Sequence, residues 1–267
     1  MSLSTPPRHQ ARKRFGQHFL HDRHVISRIV DAIDPQPGDA LVEIGPGLGA
    51  LTRPLLERAG TLEVIELDRD VIPHLTSTCA GVGSLTVHSA DVLEVDIPTL
   101  AAGRVLRLCG NLPYNISTPL LFHVLQSRHV IQDMTFMLQK EVVLRMAAAP
   151  DTGDYGRLTV MLAAYCQSTR LFDVGPGAFR PPPKVDSSIV RVVPHRIPPF
   201  PIADPTRFAA VVAAAFGQRR KTLRNSVAGL VDALGFESSG IDPSRRAETL
   251  SPAEFARLAN TPVPLPG

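Results

Sequence analysis

The chain has 267 residues, 44% apolar and 20% charged, with a formal net charge of +3 and a pI near 9.0, enough for one substantial core and a small appended domain. No apolar stretch approaches the roughly 20 residues of a membrane helix, and no apolar run of the kind a secretory leader carries follows Met1. Three cysteines, Cys79, Cys109 and Cys166, are an odd number without a Cys-x-x-Cys pair, which points to reduced thiols and a soluble, cytoplasmic protein.

Residues 1–12, rich in Ser, Pro and Arg, read as a disordered tail. Phe15 to Leu20 leads into a helix with Val25, Ile26, Ile29, Val30 and Ile33 at helical spacing, ended by Pro35 and Pro37. From Leu41 to Met146 strands and helices alternate, the pattern of a parallel, doubly wound sheet. Arg157 to Arg170 and Val185 to Val193 read as two later β-rich segments around the stretch Gly175 to Pro183. Ile197-Pro198-Pro199-Phe200-Pro201 marks a linker, so that residues 13–196 form one domain and 197–267 a small helical one. In the latter, Arg207 to Ala215 and Thr222 to Leu234 read as helices, and Ser251 to Glu254 opens a last helix with a capping box.

Two motifs carry chemistry. The first, Glu43-Ile44-Gly45-Pro46-Gly47-Leu48-Gly49, joins an apolar strand to a helix. Its glycines, Gly45 and Gly47 first, let a ligand approach the backbone where free N–H groups face it. Strand Leu62 to Glu66 then ends in an acid twenty-one residues beyond Gly45, placed to meet ribose hydroxyls, and a third strand ends at Asp91. The loop is Gly-x-Gly-x-Gly and not Gly-x-Gly-x-x-Gly, which counts modestly against a dinucleotide enzyme. The second motif is Asn111-Leu112-Pro113-Tyr114, at the end of the next apolar run. The adenine amino group is a poor nucleophile because its lone pair is delocalised into the ring. An Asn oxygen and a backbone carbonyl beside the proline can accept its two N–H bonds and localise that pair, while Tyr114 stacks on the base. A turn closing a strand explains the tetrapeptide alone equally well. Both motifs in order, each at a strand end, favour an S-adenosylmethionine-dependent N6-adenine methyltransferase.

Basic residues cluster at Arg8, Arg12, Lys13 and Arg14 and again at Arg219, Arg220, Lys221 and Arg224. In the second cluster four positive charges in six residues repel one another unless an anion is present, and RNA phosphate is the natural partner. His18, His21 and His24 lack the carboxylate or thiolate support a zinc site wants, so no metal is expected.

Arg14 to Leu20, Glu43 to Thr52, Gly110 to Tyr114, Met137 to Glu141, Tyr155 to Leu158 and Phe179 to Val185 together resemble the bacterial KsgA/RsmA family. The likeness runs from Arg14 to about Leu258. It implies a Rossmann-like class I methyltransferase sheet with a small C-terminal helical domain. It also implies a monomer that dimethylates two adjacent adenines in the 3′-terminal hairpin of 16S rRNA. By the same resemblance Glu66 holds the ribose of S-adenosylmethionine, Asp91 its adenine, and the backbone of His18 and Leu20 its methionyl end, with Gly45 and Asn111 also in contact. Phe179 stacks on the target adenine opposite Tyr114. The chain departs from the family at His18, where Asn is usual. An Erm-like methyltransferase of large-subunit RNA shares these core motifs, and an assembly factor whose catalysis is secondary is the alternative from another class.

Overall fold

The computed structural model describes residues 18–218 and 220–262. In chain order its elements are β1 (Phe19–Leu20), α1 (Arg23–Ile33), β2 (Ala40–Ile44), α2 (Thr52–Ala59), β3 (Thr61–Glu66), α3 (Ile72–Cys79), β4 (Ser84–Ser89), α4 (Ile97–Ala101), β5 (Leu106–Asn111) and α5 (Ser117–Gln126). There follow β6 (Ile131–Gln139), α6 (Lys140–Met146), α7 (Arg157–Tyr165), β7 (Cys166–Val174), β8 (Phe179–Arg180), β9 (Ser187–Pro194), α8 (Pro205–Phe216), α9 (Leu223–Ser226), α10 (Ala233–Ser239) and α11 (Pro252–Ala259). No helix among the described residues is long and apolar enough to cross a membrane.

Seven strands form one sheet in the order β4-β3-β2-β5-β6-β9-β7, parallel from β4 through β6. The chain winds outward from β2 to β4, then returns to the other side of β2 with β5. Strand order therefore reverses between β2 and β5, and open α/β sheets bind ligands in the crevice that such a reversal leaves. The fold is the expected Rossmann-like α/β class.

The chain divides into two compact units, Met1–Lys140 with Leu171–Arg191, and Glu141–Arg170 with Val192–Gly267. In the first, Ile29, Val30 and Ile33 of α1, Leu55 and Leu56 of α2 and Leu75 of α3 bury against the sheet residues Leu41, Leu62 and Val64. Helix α1 is capped by Asp22, whose carboxylate accepts from His24 N (2.9 Å) and Val25 N (3.1 Å). At its other end Asp34 adopts a left-handed conformation. Arg107 of β5 donates to the carbonyls of Ile33 (2.6 Å) and Asp34 (3.0 Å) there, and to Asp39 (2.6 Å) and Asp133 (2.8 and 3.0 Å). Arg191 reaches Asp133 as well, at 2.6 Å.

In the second unit Phe208 and Phe255 are fully buried, and Phe216 packs between Tyr155 and Phe255 at centroid distances of 6.0 and 5.5 Å. The Tyr155 hydroxyl donates to the Leu250 carbonyl at 2.6 Å. The capping box of α11 forms as expected: Glu254 N donates to Ser251 Oγ, and Ser251 N to Glu254 Oε2.

Three expectations need correction. Residues 157–165 are helix α7 and not strand; six of its nine residues are buried, so it carries no polar face to set a helical period. The stretch from Thr222 to Leu234 is not one helix: α9 stops at Ser226, Gly229 turns the chain, and Asp232 caps α10 by accepting from Gly235 N at 2.8 Å. The compact units also do not part at the 197–201 linker, since 141–170 belongs with the C-terminal helices. The tail at 1–12 lies outside the described residues.

Arg107 is 6% exposed, and its removal leaves Asp133 buried beside Arg191 alone. Arg107→Ala should cost about 3–5 kcal/mol of unfolding free energy, measured by urea titration, whereas Arg58→Ala, which removes an exposed ion pair to Asp31, should cost less than about 1 kcal/mol.

Candidate active site

At the strand-order reversal, β2 and β5 run so close that a Cβ on Gly110 would stand 2.3 Å from the Ile44 carbonyl oxygen, and Gly110 has φ of +150°. Only glycine fits. Beyond it, Asn111 still pairs with Met137 of β6, and Leu112 N donates to the Met137 carbonyl at 3.2 Å. The chain then turns into α5. The Pro113 carbonyl accepts from Ile116 N (3.2 Å) and Ser117 Oγ (3.1 Å), so it serves the start of that helix. Both lone pairs of that carbonyl are thereby engaged.

The glycine loop after β2 faces this turn: a Cβ on Gly45 would lie 3.8 Å from both the Asn111 carbonyl oxygen and Pro113 Cδ. Gly47 is left-handed (φ 54°), and a Cβ there would press on the Phe19 ring at 3.2 Å. Its N–H donates to Glu66 Oε2 (3.1 Å), while Asp68 N donates to Glu66 Oε1 (2.8 Å). Burial pushes the Glu66 carboxyl up, and these two N–H groups oppose the shift. Backbone donors, the Leu67 N–H among them, take part of the carboxylate's four lone-pair sites, and what remains can accept from hydroxyls. Asp91, at the end of β4, fixes one oxygen by accepting from Leu93 N at 2.9 Å. His18, Leu20, Gly45, Gly47, Glu66, Asp91, Asn111, Pro113 and Tyr114 all line one cavity of about 670 Å³, within the range of small-molecule sites. The structure thus brings together every expected cofactor residue and three of the four expected catalytic ones.

Phe179 is the exception. It is 2% exposed, belongs to the core with Leu20 and Val174, and does not line the cavity. β8 pairs antiparallel with β1, and side chains alternate along a strand: Phe179 points into the core, and Arg180 is the residue of that strand at the cavity. The expected second stacking ring is a core residue. Arg220, Lys221 and Arg224 are exposed around α9 in the second unit, and Arg219 lies outside the described residues, as do Phe15, Gln17 and the N-terminal basic cluster. No group of three or more His, Cys, Asp or Glu among the described residues is arranged to hold a metal. Cys79, Cys109 and Cys166 are all buried.

Three features escaped the sequence. The Tyr114 hydroxyl hydrogen-bonds Ser187 Oγ at 2.8 Å, and Ser187 is fully buried; burial pushes the phenol up. The pairing spans 73 residues, and only the need of a half-buried phenol for a partner hinted at it. The His18 ring lies against Tyr114, centroids 5.6 Å apart and planes 28° from parallel. Glu43, 1% exposed in the cavity wall, has one carboxyl oxygen, Oε2, with no hydrogen-bond partner. Burial, with the Glu66 charge adding, pushes its carboxyl up to about 8. An orphaned carboxyl oxygen and an open Glu66 in one apolar-walled cavity fit a polar, cationic ligand such as S-adenosylmethionine.

Because the folded carboxyl titrates near 8 and an unfolded one near 4.5, the folded state holds a proton that the unfolded state releases across that window. Stability associated with Glu43 is full below about pH 4.5 and falls as pH rises toward 8. Glu43→Gln, neutral at all pH, should lack this loss, so its Tm relative to the parent should climb between pH 5 and 8 in scanning calorimetry. A constant difference would show Glu43 ionised throughout.

Residues 8–262 match the family model described as ribosomal RNA adenine dimethylase. A protein of Xanthomonas campestris named ribosomal RNA small subunit methyltransferase A is 58% identical over 259 residues, 97% of each chain, and one of Xanthomonas oryzae with the same name is equally similar over the same shares. Among solved structures, a dimethyladenosine transferase from Plasmodium falciparum superposes with TM-score 0.77 at 25% identity, covering 90% of this chain and 96% of that one. The 23S rRNA methyltransferase ErmE gives 0.70 at 27%, covering 90% and 98%. With a model matched across nearly its whole length and relatives of this similarity, the chain belongs to the ribosomal RNA adenine dimethylase family, as its KsgA/RsmA-like motifs implied.

Proposed function

We propose that the protein is an S-adenosylmethionine-dependent dimethyltransferase of two adjacent adenines in the 3′-terminal hairpin of 16S rRNA. The observation that carries this reading is the meeting of the glycine loop and the Asn111–Tyr114 turn across one cavity. The small-subunit assignment draws on the name carried by relatives 58% identical over 97% of the chain; the ErmE likeness, at 27%, is weaker.

In this reading Glu66 holds the cofactor ribose and Asp91 its adenine, with Gly45, Gly47, Asn111 and the backbone of His18 and Leu20 completing the wall. Bound there, S-adenosylmethionine supplies a methyl group on a sulfonium, whose positive charge makes the thioether a good leaving group. The protein's task is to make the amine a nucleophile. Asn111 donates through Nδ2 to the His18 carbonyl at 3.2 Å; a carbonyl only accepts, so the amide's Oδ1 is the atom that remains to accept from an adenine amine. Oδ1 and the Leu112 carbonyl take the two N–H bonds and draw the nitrogen toward tetrahedral geometry, while Tyr114 holds the extruded base by stacking. Each transfer leaves the nitrogen cationic until it gives up a proton to solvent; after the first, one N–H remains, so one acceptor suffices for the second.

Incubation with labelled S-adenosylmethionine and small subunits lacking the modification, followed by nucleoside mass spectrometry, should yield dimethyladenosine in the 3′-terminal hairpin. Label in large-subunit RNA alone would transfer the reading to Erm-like chemistry, and binding without methylation would favour an assembly factor. Asn111→Ala should lower turnover by about a hundredfold or more without loss of thermal stability. Arg220, Lys221 and Arg224 are assigned to RNA phosphate. Reversing Arg220 and Lys221 to Glu should weaken subunit binding and flatten the plot of log affinity against log salt by roughly one for each phosphate no longer neutralised; an unchanged slope would reject the assignment.

A further inference from the structure

We propose that Ser187 is a positioning residue of the base site: its buried hydroxyl holds the Tyr114 ring in the orientation that stacking requires, before any RNA is bound. The proposal rests on the base-stacking role given to Tyr114 above. The two residues lie 73 positions apart, and the Tyr114 hydroxyl meets Ser187 Oγ at 2.8 Å.

Tyr114 sits on the turn between β5 and α5. A residue on a turn has no ladder neighbour to lock its side chain, and a phenol ring pivots about two torsions. The far end of the ring is held by what its hydroxyl reaches. Ser187 is fully buried, and among the described residues Tyr114 is the partner of its Oγ. A hydroxyl buried without a partner is costly, so Ser187 favours the ring position that satisfies it.

Ser187 is itself fixed. It is the first residue of β9, which lies between β6 and β7 in the sheet. The carbonyl of the preceding residue, Asp186, accepts from Lys140 N at 2.9 Å. The following residue, Ser188, faces the other side of the strand, where its Oγ donates to Asp173 Oδ1 at 2.5 Å, and Asp173 Oδ2 takes Lys140 Nζ at 2.8 Å. Bonds on either side thus pin the backbone that carries Ser187. Tyr114, Lys140, Asp173 and Ser187 all belong to the same compact unit.

The extruded base therefore meets a stacking face that already stands in place. Without the anchor the ring samples other rotamers, and the base must order it on arrival, which weakens capture. Ser187 does not line the cavity, so the loss falls on methyl transfer and spares the cofactor.

The test is a double-mutant cycle. Three quantities are measured for the parent, Ser187→Ala, Tyr114→Phe and the double variant: kcat/KM on small subunits lacking the modification, cofactor Kd by calorimetry, and Tm. Tyr114→Phe keeps the stacking ring and removes only the hydroxyl. Each single change should lower kcat/KM about three- to tenfold, the worth of ordering one side chain, with cofactor Kd within about twofold of the parent. The double variant should lose no more than either single one, because both remove the same bond. Losses that multiply in the double variant would show Ser187 acting by packing alone and would overturn the proposal. So would parental kcat/KM in either single variant, or a tenfold loss of cofactor affinity as the sole effect. If Ser187→Ala folds poorly, its Tm shows it, and Tyr114→Phe decides between loss and parental activity by itself. Tyr114→Ala judges the underlying reading: it should lose far more than Tyr114→Phe, and equal activity of the two would take the stacking role from Tyr114. A parent protein that methylates no small subunit would defeat the functional reading itself.

Discussion

Everything at the candidate site depends on how closely β5 approaches β2. With no side chain at Gly110, the backbone of β5 can pass the Ile44 carbonyl at a distance no Cβ would allow. That contact sets the glycine loop, which follows Ile44 directly, against the turn that follows Gly110. One residue further on, Asn111, still paired with Met137 of β6, stands beside Gly45, and a cavity opens between two loops that lie 66 residues apart in sequence. Register does the rest. The parallel pairing of β2 with β3 and of β3 with β4 places Glu66 and Ala90-Asp91 on the same rim, so one close contact and four parallel strands locate Gly45, Gly47, Glu66, Asp91 and Asn111, while His18 and Leu20 come from the segment of β1, which pairs with β8.

Electrostatics follows from the same geometry. Glu43 and Glu66 stand on neighbouring strands and both are buried. Two adjacent anions in an apolar wall are costly, and the structure handles the two differently. Glu66 is given backbone donors from Gly47 and Asp68, which favour its charged form. Glu43 receives no partner for Oε2 and is pushed toward the protonated form. The two acids thus differ in what opposes the upward push of burial, a division set by which carboxylate the left-handed loop residue Gly47 can reach. The cationic side chains assigned to RNA belong to the other compact unit, so acidic cofactor wall and basic phosphate surface are built from separate stretches of chain.

Legibility in the sequence tracked locality. The glycine loop, the acid at the end of β3 and the Asn111–Tyr114 turn are each written in a few consecutive residues, and strand periodicity placed them correctly at one sheet edge. Features that depend on distant packing were not readable. Helix α7 is apolar on nearly every side because it is a core helix of its unit, and a run of Leu, Val, Met and Ala without a polar face does not distinguish helix from buried strand. The break at Gly229 is visible only as one glycine in an otherwise helical pattern, where a glycine can also be tolerated. Phe179 was misread for a related reason. A resemblance can say that an aromatic residue recurs at a position, but its facing is fixed by the β1–β8 pairing across 159 residues, and that pairing turns it inward. The fully buried Ser187 behind Tyr114 belongs to the same category.

Aromatic economy connects these points. The chain has no Trp and three Tyr, of which Tyr155 and Tyr165 lie in the second unit and pack on Phe216 and Phe208. With Phe179 in the core, the rings that line the cavity are Tyr114, Phe19 and the imidazoles of His18, His21 and His74, and the His18 ring lies against Tyr114. Under the proposed function Tyr114 stacks on the base, so the orientation of its ring matters. A freely rotating phenol would lose much of its stacking advantage to the entropy of ordering it in the complex, and the hydrogen bond to a fully buried serine removes that freedom before the base arrives.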